Sequence, residues 1–401
     1  MVPSIRQSFN SAFSEKKYQH FLQSLNSKHP GAIDFRVAET PIFIPASFTK
    51  KMLSACESII DVIVATNFKK LTEQAVPQQL MVPNETDYTN FIAFDFGICT
   101  GDNGAIEPQL IEMQGFPSLF SFQVLYDEIL RQHFDIPKQY TAFLNGYDAN
   151  SYIQTLKKII IGNHLPENVI LLELFPHRQK TRIDFYCTKD YTGIETVCLT
   201  ELMVENENIF YLHRGQKTPV YRIYNRIIFD ELLQQSTAVQ KKAAAVFFKP
   251  VKVEWIPHPN WFYRISKYTL PFIEHPNIPE THFLNSVHPL PVNLNQYVVK
   301  PVFSFAGQGV IIDVNQENIT AIPDPQNWII QKKVDYAAII ETPDSPAKAE
   351  IRLFYFWDED WKRPRAMMNL ARLSKGKMIG TRYNKDKEWV GGSMAYFEQP
   401  A

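Results

Sequence analysis

The stretch Tyr297-Val298-Val299-Lys300-Pro301-Val302-Phe303-Ser304-Phe305-Ala306-Gly307-Gln308-Gly309-Val310 places a lysine at the end of an apolar strand, with a run of small residues close behind it. Residues 297–302 and 309–314 read as two strands joined by the loop 304–308. Small residues let a backbone approach a ligand closely; successive N–H groups can then cradle phosphate oxygens while the ammonium supplies charge. A plain hairpin with Lys300 snorkelling at its edge accounts for the same residues, and no Gly-Lys-[Ser/Thr] run makes this a Walker A loop. What surrounds the stretch decides between the two.

Upstream, Lys267 follows the aromatic segment His258-Pro259-Asn260-Trp261-Phe262-Tyr263 and is expected to open a short helix aimed at an anion. Nearer the N-terminus, Asp95 lies in Phe91-Ile92-Ala93-Phe94-Asp95-Phe96-Gly97, and Glu112 and Gln114 lie in Gln109-Leu110-Ile111-Glu112-Met113-Gln114. Acids inside apolar strands are costly unless paired. Period-two alternation puts Glu112 and Gln114 on one face. If 91–98 pairs with 109–113, Asp95 reaches that face and completes three oxygen ligands suited to Mg²⁺. The competing reading is an ion-pair network with arginines. Downstream, Arg352 begins one strand, Arg372 ends another and Arg382 precedes Gly391-Gly392. Arginine makes forked contacts to phosphate or carboxylate, and one or two of these three are expected to touch ligand.

The remaining pattern predicts helices at 9–25, 48–71, 121–133 and 226–242, and strands at 32–37, 169–174, 182–187, 195–203, 328–334, 350–357, 367–373 and 393–397. Hairpins outnumber strand-helix-strand crossovers. The expectation is therefore an α+β fold with mixed, largely antiparallel sheets in two or three lobes. The divisions expected are a mainly helical region at 1–90, metal-binding strands in a substrate-side α/β lobe at 91–242, and nucleotide-binding lobes at 243–401. With 45% hydrophobic and 21% charged residues the composition is that of a folded globular chain. A net charge of -1 gives no global field to draw nucleic acid or an anionic membrane, so an anionic ligand needs a local cluster. Cys56, Cys99, Cys187 and Cys198 form no Cys-x-x-Cys pair, the N-terminus lacks the apolar core of a signal peptide, and the longest apolar runs are too short to span a bilayer. A cytoplasmic protein with reduced thiols is expected. No Gly-x-Ser-x-Gly elbow points to a serine hydrolase.

Phe94-Asp95-Phe96, Glu112-Met113-Gln114, Trp261 through Ser266-Lys267, and Val299-Lys300-Pro301 through Gly307-Gln308-Gly309 occur in an order that resembles the synthetase domain of glutathionylspermidine synthetase. More broadly, the order resembles the circularly permuted ATP-grasp ligases. The resemblance implies an ATP-grasp-like fold and an ATP-dependent carboxylate-amine ligase that forms an amide through an acyl phosphate. It implies that Asp95, Glu112 and Gln114 hold Mg²⁺, with Gln114 where the family has Asn. Lys267, Lys300, Ser304, Gly307, Gln308 and Gly309 would hold the ATP phosphates. Gln331, Lys332 and the backbone at Val334 would line the adenine pocket. Arg352 or Arg372 would steady the transferring phosphoryl group. The substrates implied are small-molecule or peptide-like acids and amines; the sequence leaves the oligomeric state open. Where the family strand reads Gly-Arg-Phe-Asp-Phe, with a catalytic arginine, this chain has Ala93. Arg182, Arg222 and Arg226 are the candidates to replace it. Two other readings stand beside the ligase: an ATP-grasp phosphotransferase acting on a hydroxyl, and a non-catalytic nucleotide-binding protein, which Ala93 suggests.

Overall fold

Strand Phe91–Thr100 is buried at every position but its last, as an apolar strand covered on both faces must be. In the computed structural model, which describes residues 2–399 apart from 102, 305–307, 377–378, 381–383 and 385, this strand lies inside a five-stranded antiparallel sheet. The sheet runs in the order Gly391–Ser393, Arg365–Ser374, Lys348–Phe356, Phe91–Thr100, Ile106–Gln114. It thus joins residues near 100 to residues beyond 348. Ile92, Phe94, Phe96 and Ile98 share one core with Met52, Ala55 and Ile59 of helix Ala46–Ile63. Residues 91, 93, 95 and 97 belong to the opposite face, where the charged groups lie.

A three-stranded antiparallel sheet, Thr281–Phe283, Trp328–Lys332 and Tyr297–Pro301, carries Lys300. The expected strand at 309–314 is reduced to one bridge between Val299 and Ile311. The chain is already turning there, because the Asn315 side chain caps the short helix Gln316–Thr320 by accepting from Asn318 N.

The expectation of largely antiparallel sheets holds for the sheets taken together, with one correction. Glu254–Ile256, Arg222–Asn225, Val169–Glu173 and Glu195–Cys198 form a four-stranded sheet that is parallel throughout. Its crossovers include helices Arg182–Thr192 and Thr237–Phe247. Residues 182–187, expected as a strand, are therefore helical. Six alternating residues mimic a strand, but Gly193 at φ 82° is a helix C-cap six residues further on. The helix expected at 226–242 is two helices, Phe229–Leu233 and Thr237–Phe247, and residues 32–37 form only a bridge from Val37 to Gly392. Among the described residues no helix is long and apolar enough to cross a membrane.

Candidate functional site

Residues directly opposite on paired strands share a face. Asp95 stands opposite Glu112 on one side and Arg352 on the other; Gln114 is opposite Ala93, and Glu350 is opposite Gly97 and Arg372. One face of the central sheet therefore gathers Asp95, Glu112, Gln114, Glu350, Arg352 and Arg372. Gly97 leaves the space that Tyr336 fills, for a Cβ there would lie 2.8 Å from the tyrosine ring. The Tyr336 hydroxyl donates to Glu350.

Asp95 is enclosed by arginines. Its Oδ1 accepts from Arg352 Nε at 2.5 Å, and its Oδ2 accepts from Arg352 Nη2 and Arg372 Nη2, each at 2.6 Å. Burial pushes this carboxyl up, and the two guanidinium groups more than offset that, leaving it below the ordinary aspartate range. Arg372 also donates to Glu350 Oε2 at 2.8 Å. Breaking one partner out of such a buried set costs about 3–5 kcal/mol.

The two lysines arrive from elsewhere. Lys267 opens the short 3-10 turn Lys267–Phe272 after Ser266, whose side chain accepts from Tyr268 N. Lys300 is the penultimate residue of the strand Tyr297–Pro301. Both are buried, and the acceptors they use are neutral. Lys300 Nζ donates to the Ile111 carbonyl at 3.1 Å and to Gln331 Oε1 at 2.6 Å, while Lys267 Nζ donates to the Ser304 carbonyl. Burial pushes the Lys300 ammonium down to about 8, with Glu112 opposing and Lys267 adding to the fall. Lys267 is lowered by burial against the pull of Glu112 and Asp230. Glu112 is thus within electrostatic reach of both lysines.

A cavity of about 30 Å³, bounded by Glu112, Gln114, Asp230, Phe262, Lys267 and Ser304 among others, opens beside Lys267 and Glu112; Lys300 is not among its lining residues. It has room for water but not for a nucleotide. Gly115 fixes one wall: its N–H donates to the Ile265 carbonyl at 3.0 Å, and a Cβ would sit 2.6 Å from the Trp261 carbonyl oxygen. Gly115→Ala is expected to push the Lys267 segment off the strand and destabilise the protein by about 1–3 kcal/mol. A thermal melt checks this; an unchanged melting temperature would show that the segment yields freely.

Of the other residues expected here, Ser304 lines the cavity. Gly309 takes φ +73° beside Pro301, and Gln308 is exposed. Gly307 and Arg382 lie outside the described residues. Gln331 is buried, and both ends of its amide are engaged, with Lys300 and with Thr281 Oγ1 at 2.9 Å. Lys332 is exposed, with its backbone N–H on the Glu280 carbonyl, and Val334 is half-buried. Asp230, Glu350 and Tyr336 join the site without having been anticipated. Glu350 was within reach of the sequence, since it stands two residues before Arg352 and period two puts both on one face.

Lys267 and Lys300 suit phosphate oxygens: they are desolvated cations that, among the described residues, hydrogen-bond to neutral acceptors. For Mg²⁺, Glu112 and Gln114 face the cavity and fit, whereas Asp95 has both oxygens committed to arginines and does not. Among the described residues no group of three or more His, Cys, Asp or Glu is placed to hold a metal ion.

The three arginines proposed in place of the missing one differ sharply. Arg182 is tied to Asp34 and the Gly31 carbonyl, and Arg222 to Glu254 and the carbonyls of Ile159 and Ile160. Arg226 is buried between Phe116 and Phe185, 4.5 and 5.6 Å from their ring centres, and among the described residues its Nε and Nη1 have no hydrogen-bond partner. Phe116 packs edge-on against Phe262 of the cavity wall. Near Arg226, burial lifts Glu173 to about 8 against the arginine's pull.

No family model matches this chain, and no curated protein matches it. Among solved structures, a glutathione synthetase-like effector (GSS30) from Globodera pallida, in its apo form, superposes with a TM-score of 0.56 at 9% identity, over 96% of this chain and 97% of that one. At that identity the likeness shows the fold alone: the chain has a glutathione synthetase-like, mixed α+β fold.

A wider cleft of about 480 Å³ lies between Glu195–Cys198 and Asn208–His213 and contains none of the expected residues.

Proposed function

We propose that this chain is an ATP-dependent carbon-nitrogen ligase of the ATP-grasp kind, which binds the ATP phosphates at Lys267 and Lys300 and joins a carboxylate to an amine. The observation that carries the reading is the placement of two buried lysines, 33 positions apart in the chain, within electrostatic reach of Glu112 and bonded, among the described residues, to neutral acceptors. A buried ammonium is costly, and a polyphosphate is the partner that would make two of them worth keeping. The fold likeness to a protein described as glutathione synthetase-like supports the ligase half.

In this reading Lys267 exchanges the Ser304 carbonyl for a phosphate oxygen. Lys300 stays oriented by Gln331 and neutralises charge as the phosphoryl group passes to the acid. Mg²⁺, when held by Glu112 and Gln114, supplies further neutralisation of the polyphosphate. Arg226, with two unpartnered nitrogens beside Phe116, orients the carboxylate. The aromatic wall of Phe262 and Tyr263 excludes water from an intermediate that hydrolysis would destroy.

The test is ADP release from Mg-ATP in the presence of amino acids, small peptides and polyamines, with product masses measured. Amide product with ADP and phosphate is expected when both substrates are present. ATP binding without ADP release across the panel would favour the non-catalytic reading, to which Ala93 and the arginine-bound Asp95 lend weight. Arg226→Leu is expected to raise the KM for the acid by about tenfold or more while ATP affinity changes little. A KM that does not move would remove Arg226 from the site.

A further inference from the structure

Asp95 is where the resemblance and the geometry part company. A carboxylate that ligates a metal must turn an oxygen to the ion, yet Oδ1 faces Arg352 Nε at 2.5 Å, and Oδ2 faces Arg352 Nη2 and Arg372 Nη2 at 2.6 Å. The pairing continues beyond Asp95. Arg372 is held by Glu350 Oε2 at 2.8 Å, and Glu350 Oε1 takes the Tyr336 hydroxyl. Five side chains from four segments thus form one chain of charge-assisted bonds along the sheet face. A divalent cation on Asp95 would sit against two guanidinium groups at the same oxygens. Glu112 is placed differently: its nearest arginine nitrogen, Arg352 Nη2, is 3.8 Å away, and it opens on the cavity with Gln114. Mg²⁺ commonly uses one or two protein oxygens and keeps its waters or takes substrate phosphates for the rest.

We propose that Asp95 is a positioning residue and not a metal ligand: it fixes Arg352 and Arg372 as a rigid two-guanidinium platform. A divalent cation entering this site is held from the cavity side by Glu112 and Gln114. The inference rests on the nucleotide-binding reading only for what the platform faces, since the cation and the arginines can be examined without ATP.

The experiment follows the Nε–Hε resonance of Arg352 by NMR in the full chain, assigned through Arg352→Lys, while Mg²⁺ alone is added. In parallel, Mn²⁺ binding is measured by EPR. The Arg352 resonance is expected to keep its bonded position at saturating Mg²⁺. Glu112→Gln is expected to weaken Mn²⁺ binding about tenfold or more. Asp95→Asn is expected to move the Arg352 resonance while costing less Mn²⁺ affinity than Glu112→Gln does. A resonance that shifts to a free-arginine position on adding Mg²⁺ overturns the assignment of Asp95, as does an Asp95→Asn loss equal to that of Glu112→Gln. A wild type that binds no Mn²⁺ overturns the assignment of Glu112. The Mg²⁺ titration is read on the wild type, so misfolding of Asp95→Asn leaves it standing. A failure to bind ATP would count against the ligase reading and leave these results as they are.

Discussion

A Lys300→Met chain is expected to lose ATP binding by at least about 30-fold while melting at a higher temperature than the wild type when no ligand is present. The two effects have one origin. Removing one member of a buried, hydrogen-bonded charge pair costs about 2–5 kcal/mol of binding, and Lys300 is the buried cation of the lysine strand. In the free protein the same ammonium is a burden, because burial lowers it from 10.5 to about 8. That displacement corresponds to about 3 kcal/mol of destabilisation while the lysine is charged in both states. Below about 8 the folded and unfolded chains both carry the proton, and the penalty is complete. Between about 8 and 10.5 the folded lysine is neutral while the unfolded one still binds its proton, so wild-type stability rises with pH across that window. Melting curves of the two proteins should therefore converge as pH rises through it. Saturating ATP should reverse their order at neutral pH. A Lys300→Met chain that binds ATP as the wild type does would remove Lys300 from the site.

Arg352→Met is expected to have the opposite effect on the free protein, lowering stability by about 3–5 kcal/mol. Asp95 then keeps only Arg372, with most of its burial unrelieved. The pH dependence has its own sign. A carboxyl held below its ordinary range stabilises the fold above the unfolded value of 3.8 and loses that contribution as pH falls through the lower folded value. In Arg352→Met the unrelieved burial leaves that carboxyl higher than in the wild type, so the deficit is expected to shrink as pH falls and to be smallest in strong acid, where both carboxyls are protonated. Denaturant titrations at several pH values measure it. A deficit that stays the same from neutral pH down to strong acid would show that another group carries the coupling.

Much of the central sheet could be read from sequence, because long apolar strands such as 91–98 and 350–357 carry a period that tertiary context rarely overrides. The same periodicity correctly grouped Asp95, Glu112 and Gln114 on one face. It could not say which partner Asp95 would choose, for that depends on strand Lys348–Phe356 pairing beside it from over 250 residues away. The parallel sheet was missed for a local reason: residues 182–187 alternate like a strand, and the signal that decides otherwise is the Gly193 cap beyond them. For Gln331 the family resemblance implies a place in an adenine pocket. The bond from Lys300 to its amide, which gives it a role in holding the lysine, appears only once Tyr297–Pro301 and Trp328–Lys332 are paired. Arg226 was one of three equal candidates in the sequence. Only the partners of the other two single it out.

The central claim is that Lys267 and Lys300 face the phosphates of a bound nucleotide, and an acyl-phosphate derivative of ATP tests it most directly. Such a reagent transfers its acyl group to a lysine amine at the phosphate site, forming an amide and releasing ATP, and peptide mass spectrometry then locates the label. Label on Lys267 or Lys300 that free ATP suppresses is the predicted result. Label scattered over exposed lysines, with no protection by ATP, would contradict it.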